Sequence, residues 1–421
     1  MSLYKTYIFP IHPDDQEQAR QISRCAGRIY SKTVSTVHKL HERKDIWLSE
    51  SAMKKLIRLY AEDFLTHAQS EQAAVEQYYK ALDSFFVKRK SDDTARPPYR
   101  TFKYQNVVYK ESAITRMDDK VRFSNGRKGT PLYIKVEYFD GEIKYAEMIY
   151  NTYKESYQMH VVVDIESNIQ VEDSDKVMSV DLGQIHPIVT FDGDNTRIYN
   201  GGKLNSFARF QNKELSRLQN KMSRCTKYSR RWRKLNRAKK KLLRKTADKI
   251  KDVLRKYTST LIGYCVDENI GTIVIGDIKG IRENIDYGKK TNQSLHQWIF
   301  RRLTDMIEYK AEFVGVNVEY IDESYTSQTC PACGNRYKPS GRNYRCKECG
   351  FEYHRDGVGA VNIYKKYTVG SLERKSDWLE GVLASPVGVR YTPHLRCSAD
   401  WNASPFRTGH SKVASAEKAA V

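Results

Sequence analysis

Apolar residues recur in two different periods along the first ninety positions. Residues 3–11 are β-rich, which predicts one strand. Spacings of three and four then predict a helix that begins near Asp15, followed by amphipathic helices over 50–67 and 70–90. Aromatic residues at this spacing favour a packed core over a surface for nucleobases. The pattern therefore predicts a small helical bundle.

A pair of prolines at 97–98 ends the helical region. Short β-like runs follow, and those over 132–139 and 143–150 flank an Asp140-Gly141 dipeptide, which predicts a hairpin. A further strand is predicted over 157–165. One strand, then helices, then several strands predict a β-barrel that carries a helical insertion.

The second half of the chain has the pattern of an α/β sheet. An apolar strand over 176–183 contains Asp181, and 188–191 completes a first hairpin. A long polar helical region is predicted over 207–257, and a buried strand over 272–277.

A helix over 295–313 and a strand over 316–321 complete this pattern. Strand, helix and strand in that order imply a right-handed crossover between parallel neighbours. The carboxyl ends of these strands then lie side by side, where α/β sheets place their chemistry.

The composition indicates a folded protein with a polyanionic partner. The 421 residues allow two or three domains, and 40% hydrophobic residues exclude a disordered chain. A formal net charge of +21 makes nucleic acid the first candidate partner. Because no signal peptide opens the chain and no apolar run has membrane-spanning length, we expect an intracellular protein without a membrane partner.

Positive charge is concentrated in the polar helical region. Residues 221–245 contain thirteen Lys or Arg and no Asp or Glu. Like charges at this density repel unless a counterion neutralises them, and phosphate backbone supplies one; a solvated helix face is the alternative. The candidate nucleic-acid-binding residues are Lys221, Arg224, Lys227, Arg230, Arg231, Arg233, Lys234 and Arg237.

Four of the eight cysteines form two pairs, Cys330/Cys333 and Cys346/Cys349. Two CxxC knuckles, each followed by a glycine, are typical of a zinc ribbon. All four positions would be protein ligands, so the Zn²⁺ is expected to be structural. The other cysteines are scattered and indicate a reducing compartment rather than a disulfide framework.

Carboxylates on either side of the cysteine pairs predict a second, catalytic metal site. Asp181 lies in a mostly apolar strand, where burying a charge is costly unless it meets a cation. Asp356 is expected to open a helix that packs against the sheet. Hydrolysis of a phosphodiester with two metal ions needs three or four acidic ligands, so at least one more is required.

Several of these stretches resemble the TnpB family of transposon-associated, RNA-guided nucleases, which is related to type V CRISPR effectors and the Fanzor proteins. The stretches are SVDLG, IVIGD, SYTSQTCPACG, the second CxxC and HRDGVGAVNI, within 176–366; the N-terminal part resembles the family only through PPYRTFKY. The resemblance implies an α/β multidomain protein with an RNase H-like RuvC nuclease domain, an inserted zinc ribbon, and an N-terminal β-barrel (wedge) carrying a helical recognition bundle.

On this resemblance the chain is divided into five parts. The wedge barrel takes 1–12 and 95–172, the recognition domain 13–94, the RuvC-like domain 173–325 and 351–367, the zinc ribbon 326–350, and a partly disordered tail 368–421.

The resemblance also implies a catalytic triad of Asp, Glu and Asp. Asp181 matches the first member and Asp356 the last, but Gly276 stands where the glutamate usually does. A subset of the family carries the glutamate two residues before YTS, which is Glu323 in this chain. Asp277 is a poorer substitute because adjacent strand residues face opposite ways. The other candidates, Glu283, Glu308 and Glu312, are expected on helix or loop surface.

The function implied is RNA-guided cutting of double-stranded DNA beside a short motif, in a bacterial or archaeal cytoplasm. Asp181, Glu323 and Asp356 would hold two Mg²⁺ ions, and a guide RNA from the transposon end would select the target. Three alternatives stay open. They are a nuclease-inactive guided repressor, a nucleic-acid-binding module that uses its zinc ribbon, and a transposase that joins strands.

Overall fold

The computed structural model describes residues 3–60, 65–99, 103–136, 141–166, 169–171, 174–277, 300–337, 339, 341–372 and 383–392. The chain forms two compact units, Met1–Glu166 and Ser167–Val421. Several sequence predictions lie outside the described residues: Asp140, Glu283, 295–299 of the predicted helix, and 393–421. In the described part of the chain, no helix combines the length and apolar character needed to cross a membrane.

The first unit contains three helices between its first and second strands. Its elements are β1 (Leu3–Pro10), α1 (Gln16–Lys44), α2 (Glu50–Arg58), α3 (Ala68–Arg89), β2 (Val107–Lys110), β3 (Ile114–Arg116), β4 (Lys120–Phe123), β5 (Leu132–Lys135), β6 (Glu142–Asn151) and β7 (Ser156–Ile165). The strands form a four-stranded sheet in the order β1-β7-β6-β2 and a three-stranded sheet in the order β3-β4-β5. The three helices share one apolar core, in which Tyr78 is fully buried, as the helical spacing of the aromatic residues predicts.

Two predictions for this unit are wrong. The hairpin across Asp140-Gly141 does not form between described residues, because β5 pairs with β4 and β6 pairs with β7. Strand β7 pairs with one edge of β6 and β2 pairs with the other, so neither edge of β6 is left for β5. The second helix ends at Arg58 rather than near residue 67, and Leu59 beyond it is 77% exposed, so the apolar face does not continue.

The second unit is built on a six-stranded mixed sheet in the order β12-β11-β8-β9-β10-β15. Its elements are β8 (Val177–Asp181), β9 (Ile188–Phe191), β10 (Thr196–Tyr199), α4 (Gly202–Ser223), α5 (Arg230–Asp267), β11 (Thr272–Asp277), α6 (Phe300–Val314), β12 (Asn317–Asp322), β13 (Asn343–Arg345), β14 (Glu352–His354), α7 (Arg355–Val369) and β15 (Val387–Val389). Strands β8, β11 and β12 are parallel neighbours, and β8 forms an antiparallel hairpin with β9. Both arrangements confirm the predictions from the sequence.

Helix α7 packs against this sheet and carries the chemistry that follows the second cysteine pair. Ala360 and Val361 on α7 are buried against Val189 and Phe191 of β9. The Ser179 hydroxyl of β8 donates to the Ala360 carbonyl at 2.7 Å, inside the core. The first turn of α7 is therefore fixed beside the carboxyl end of β8.

The predicted polar helical region consists of two helices. Helix α4 ends at Ser223, and α5 begins at Arg230 after a short loop. The Ser229 hydroxyl accepts a hydrogen bond from the Trp232 amide at 3.2 Å and so caps α5. The two helices contact each other along their length as a hairpin, with the densest positive charge around its tip.

Part of the tail that the sequence left unexplained forms the edge of the sheet. Strand β15 runs parallel to β10, and the Tyr391 hydroxyl donates to Asp252 of α5 at 2.7 Å. The Tyr353 hydroxyl donates to the Ala384 carbonyl at 2.8 Å. The segment 383–392 thus covers an edge strand that would otherwise leave backbone groups unpaired.

Candidate metal and nucleic-acid site

Three predicted carboxylates come together at one end of the second unit's sheet. Asp181 ends β8, Glu323 directly follows β12, and Asp356 lies in the first turn of α7. All three side chains are partly buried. Because β8 and β12 are parallel, with β11 between them, their carboxyl ends lie on the same edge of the sheet.

The carboxylate of Glu323 fills the space above Gly276. These two residues belong to neighbouring strands, since Gly276 of β11 pairs with Ile321 of β12. A β-carbon placed on Gly276 would lie 2.9 Å from Glu323 Oε2 and 3.0 Å from the Ile363 side chain. Glu323 therefore occupies the place that a side chain at position 276 would take.

A second glycine makes room for Asp181. A β-carbon placed on Gly359 of α7 would lie 2.3 Å from Asp181 Oδ2, closer than any real contact. Gly359 is one helical turn after Asp356, so the Asp181 carboxylate lies against the start of α7. Helix amino termini favour negative charge, and this one faces two carboxylates.

The carboxylates influence one another's protonation. Burial raises the pKa of Asp181 to about 8, and the negative charges of Glu323 and Asp356 contribute to the increase. Burial likewise raises the pKa of Glu323 to about 7, helped by Asp277 and Asp322. Acids in such an environment hold protons until a cation replaces them.

Asp356 differs because two basic side chains hold it. His186 Nδ1 lies 2.7 Å from Asp356 Oδ2, and Arg342 Nη1 donates to Oδ1 at 2.9 Å and to Oδ2 at 2.7 Å. Burial alone would raise the pKa of Asp356, but the His186 hydrogen bond and the positive charge of Arg342 outweigh it and lower the pKa. No sequence spacing identified either residue, because both come from loops.

The loop after Glu323 is tied to α7 by one buried amide. Asn362 Nδ2 donates to the carbonyls of Thr326 and Thr329, each at 2.7 Å, and Asn362 has no exposed surface. The Thr326 amide and hydroxyl bond to the Glu323 carbonyl at 3.1 and 2.8 Å. The stretch YTSQT thus positions Glu323 relative to the helix that carries Asp356.

The four cysteines of the predicted zinc ribbon form one cluster. Cys330 and Cys349 Sγ are 3.6 Å apart, and Cys333 and Cys346 Sγ are 3.5 Å apart. A zinc ion with bonds of about 2.3 Å needs sulfur atoms roughly 3.8 Å apart, so the donors suit it. In each knuckle the glycine after the second cysteine has a positive φ and donates its amide to the carbonyl of the first cysteine.

The eight candidate nucleic-acid-binding residues all lie at the tip of the α4–α5 hairpin and are all exposed. Within the described residues none of the eight takes part in an ion pair. Tyr228 is 60% exposed and meets Trp232 edge to face, with ring centroids 5.3 Å apart. Basic side chains with exposed aromatic rings suit phosphate and base contacts.

The remaining acidic candidates do not join the cluster in the same way. Glu308 lies on α6 and accepts a hydrogen bond from the Tyr320 hydroxyl of β12. Glu312 is exposed on the same helix, α6. Asp277 ends β11 beside Gly276 and is near enough to raise the pKa of Glu323.

Comparison with known proteins agrees with this arrangement. A family profile described as "Probable transposase" (OrfB_IS605) matches residues 160–282, and one described as "Cas12f1-like, TNB domain" matches residues 300–363. A cryo-EM structure of a Cas12f1–sgRNA–target DNA complex has a TM-score of 0.58 and 14% identity, covering 84% of this chain and 83% of that one. The fold is that of a multidomain α/β protein that resembles this Cas12f1 structure.

Several proteins are similar to this chain in sequence, over different lengths. A TnpB-like protein of Methanocaldococcus jannaschii is 37% identical over 120 residues, which cover 28% of this chain and 43% of the relative. A Cas12f1 endodeoxyribonuclease of Sulfoacidibacillus thermotolerans is 28% identical over 236 residues, or 53% of each chain. The chain spans about half the length of these two relatives. The putative RNA-guided DNA endonuclease InsQ of Escherichia coli is 23% identical over 400 residues, 86% of this chain and 92% of InsQ. This chain is therefore similar in sequence to TnpB-like proteins and to Cas12f1 endodeoxyribonucleases.

Proposed function

We propose that the protein is an RNA-guided DNA endonuclease that cuts double-stranded DNA beside a short motif. The observation that carries this proposal is the position of the Glu323 carboxylate over Gly276, beside Asp181 and Asp356. Three acids at one sheet edge supply the oxygen ligands that divalent-metal hydrolysis of a phosphodiester needs. Relatives whose names specify RNA-guided or CRISPR-associated DNA endonucleases support the same activity.

Asp181, Glu323 and Asp356 would hold Mg²⁺. When bound, Mg²⁺ lowers the pKa of an attacking water and stabilises the leaving oxygen. Asp181 and Glu323 give up the protons that their raised pKa values imply, and their charge then favours the cation. His186 and Arg342 hold the Asp356 carboxylate in one orientation. The expected products carry 5′-phosphate and 3′-hydroxyl ends.

The architecture supports this assignment at the level of domains. The hairpin β8–β9, the parallel strands β11 and β12, and helix α7 would form an RNase H-like RuvC domain. The four-cysteine cluster lies between β12 and α7 and would hold a structural Zn²⁺. In the first unit, the helices between β1 and β2 would form the recognition domain, and the strands would form the wedge barrel.

The tip of the α4–α5 hairpin would bind nucleic-acid phosphates. Its exposed basic side chains lack ion-pair partners within the described residues, so a polyanion would neutralise them without breaking internal contacts. A guide RNA from the transposon end would pair with the target strand, and the protein would read only the motif beside it. Such a protein would act in the cytoplasm of a bacterial or archaeal cell.

Reprogrammed cleavage tests this function. The protein purified with its own RNA should linearise a plasmid that carries the matching target, and RNase treatment should abolish the cut. Replacing the target-matching part of the RNA should move the cut to a new site. Cleavage or joining at transposon ends without RNA would contradict the proposal and identify a transposase.

A guided repressor is the second candidate, because Gly276 lacks the carboxylate usual at that position. It predicts that the RNA-bound protein occupies its target without cutting it in any divalent metal. The intact Asp181 and Asp356, with Glu323 above Gly276, favour cleavage. A gel-shift assay run beside the cleavage assay separates the two candidates.

A further inference from the structure

We propose that His186, His354 and Asp356 form a binding site for a divalent first-row transition metal, distinct in chemistry from the Mg²⁺ ligands Asp181 and Glu323. One potential ligand atom from each of the three residues lies within 4.8 Å of the others. The residues come from three different segments, the β8–β9 loop, the end of β14 and the first turn of α7. Because the site shares Asp356, its catalytic consequences rest on the proposed function, but its metal affinity does not.

The geometry suits an ion that takes several ligands. His186 Nδ1 and Asp356 Oδ2 are 2.7 Å apart, and the two imidazole rings meet edge to face with centroids 5.2 Å apart. Octahedral bonds of about 2.1 Å place neighbouring ligand atoms roughly 3.0 Å apart, so small side-chain shifts complete the site. The His186 and Asp356 side chains are 17% and 20% exposed, which leaves a path for water and ions.

His354 provides the independent observation that points to a ligand. Its Nδ1 atom is buried and has no hydrogen-bond partner among the described residues. A buried ring nitrogen without a partner is costly, and a metal ion is one of the groups that satisfies it. His354 belongs to the same cluster as His186 and Asp356.

Asp356 can accept a metal without losing both of its present partners. An ionised carboxylate offers about four lone-pair positions. The Arg342 side chain is 45% exposed, so it can release one oxygen and keep the other. At His186 the ion takes the place of the hydrogen bond between Nδ1 and the carboxylate.

Imidazole nitrogen decides which ions fit. Mg²⁺ and Ca²⁺ prefer oxygen donors, whereas Mn²⁺, Fe²⁺, Co²⁺ and Zn²⁺ accept imidazole together with carboxylate. Two nitrogens and one carboxylate therefore favour a transition metal over Mg²⁺. Asp181 and Glu323 offer only oxygen and carry no such preference.

Manganese spectroscopy on the RNA-free, zinc-loaded full chain tests the site, since RNA itself binds Mn²⁺. Bound Mn²⁺ is counted by electron paramagnetic resonance in a large excess of Mg²⁺, which occupies oxygen-only sites. Wild type should retain one Mn²⁺ and show nitrogen modulation from coordinated imidazole in the spin echo. His354→Asn and His186→Asn should each weaken that Mn²⁺ by about 10-fold or more.

The variants separate a ligand from a hydrogen-bonding residue. An asparagine at 186 keeps a donor near Asp356 but is a poor metal ligand, so a purely positioning role predicts unchanged Mn²⁺ binding in His186→Asn. His12→Asn is the matched control, because His12 Nδ1 also lies beside a carboxylate, 3.4 Å from Asp14, but on an exposed surface. It should bind Mn²⁺ like wild type.

Two results would overturn the inference, namely displacement of all Mn²⁺ by Mg²⁺, or a wild-type spin echo without nitrogen modulation. The second needs no variant and holds even if a substitution fails to fold. Failure of the proposed function is distinguishable from failure of this inference. If only the proposed function fails, the protein cuts no DNA in any metal but still binds Mn²⁺.

Discussion

At the scale of single residues, the relation between Gly276 and Glu323 would explain how the proposed nuclease site works without a glutamate at position 276. The two positions lie on neighbouring strands, and the Glu323 side chain reaches the space that a residue at 276 would fill. In the proposed site, a carboxylate carried on the neighbouring strand would face the same cation. A larger residue at 276 would displace the Glu323 carboxylate, since a β-carbon there would lie 2.9 Å from Glu323 Oε2.

This relation predicts that the glutamate can be moved back. Glu323→Gly should lower RNA-guided plasmid cleavage about 100-fold or more, because a metal ligand is lost. The double change Gly276→Glu with Glu323→Gly should recover part of the rate, limited by the Ile363 side chain 3.0 Å away. Initial cleavage rates in Mg²⁺ measure both effects. Gly276→Glu in the presence of Glu323 should not raise the cleavage rate. A double variant as inactive as Glu323→Gly would contradict the claim that the two positions share one ligand site.

The raised pKa of Asp181 predicts how stability depends on pH. The pKa is about 8 in the folded protein and ordinarily 3.8, so over this range the folded state holds a proton that the unfolded state has lost. Stability of the metal-free protein should therefore fall as pH rises from about 4 to about 8. A divalent cation replaces the proton, so Mg²⁺ should raise the melting temperature more at about pH 8 than at about pH 5.

Melting curves at both pH values, with and without Mg²⁺, measure this linkage. Asp181→Asn cannot ionise and should flatten both the pH dependence and the Mg²⁺ effect. An equal Mg²⁺ effect at both pH values, or an unchanged profile in Asp181→Asn, would contradict the account.

At the scale of elements, the sequence predicted features set by neighbouring residues better than pairings between distant strands. The CxxC knuckles set their own geometry within a few residues, and β8 and β11 were readable as apolar runs. The wrong hairpin at Asp140-Gly141 shows the limit, because β6 pairs with β7 through a longer ladder that no dipeptide encodes. The sequence did not predict His186 as a site residue for a similar reason, because only folding brings its loop to Asp356.

The contact between α7 and the loop after Glu323 predicts a strong effect of one amide. Asn362→Ala leaves the buried carbonyls of Thr326 and Thr329 without their donor, which should lower the free energy of unfolding by about 2 kcal/mol or more. Cleavage should fall as well, because the loop no longer holds Glu323. Denaturant unfolding measures the first effect. Asn317→Ala, at an exposed amide, should change stability by less than about 0.5 kcal/mol, and equal effects in both variants would refute this role.

At the scale of the whole molecule, the charge distribution predicts how nucleic acid is held. Replacing Arg230, Arg231, Arg233 and Lys234 by glutamine removes four exposed charges at the hairpin tip. Binding of guide RNA or target DNA should weaken, and the dependence of log K on log salt should become shallower by about 0.9 for each lost duplex phosphate contact. Filter binding over a salt series measures the slope. An unchanged slope with an unchanged melting temperature would mean that the tip is only a solvated surface.

The central claim is that Glu323 completes a hydrolytic metal site, and one cleavage assay tests it directly. The protein purified with its own RNA is incubated with target plasmid in Mg²⁺ as wild type, Glu323→Gln and Glu308→Gln. Glu308→Gln is the control, because the Glu308 carboxylate lies on the surface of α6 and accepts a hydrogen bond from Tyr320. The account predicts cutting by wild type and by Glu308→Gln, and target binding without cutting by Glu323→Gln. Equal cutting by all three would contradict it and would transfer the third ligand to another acid, with Asp277 the first to examine.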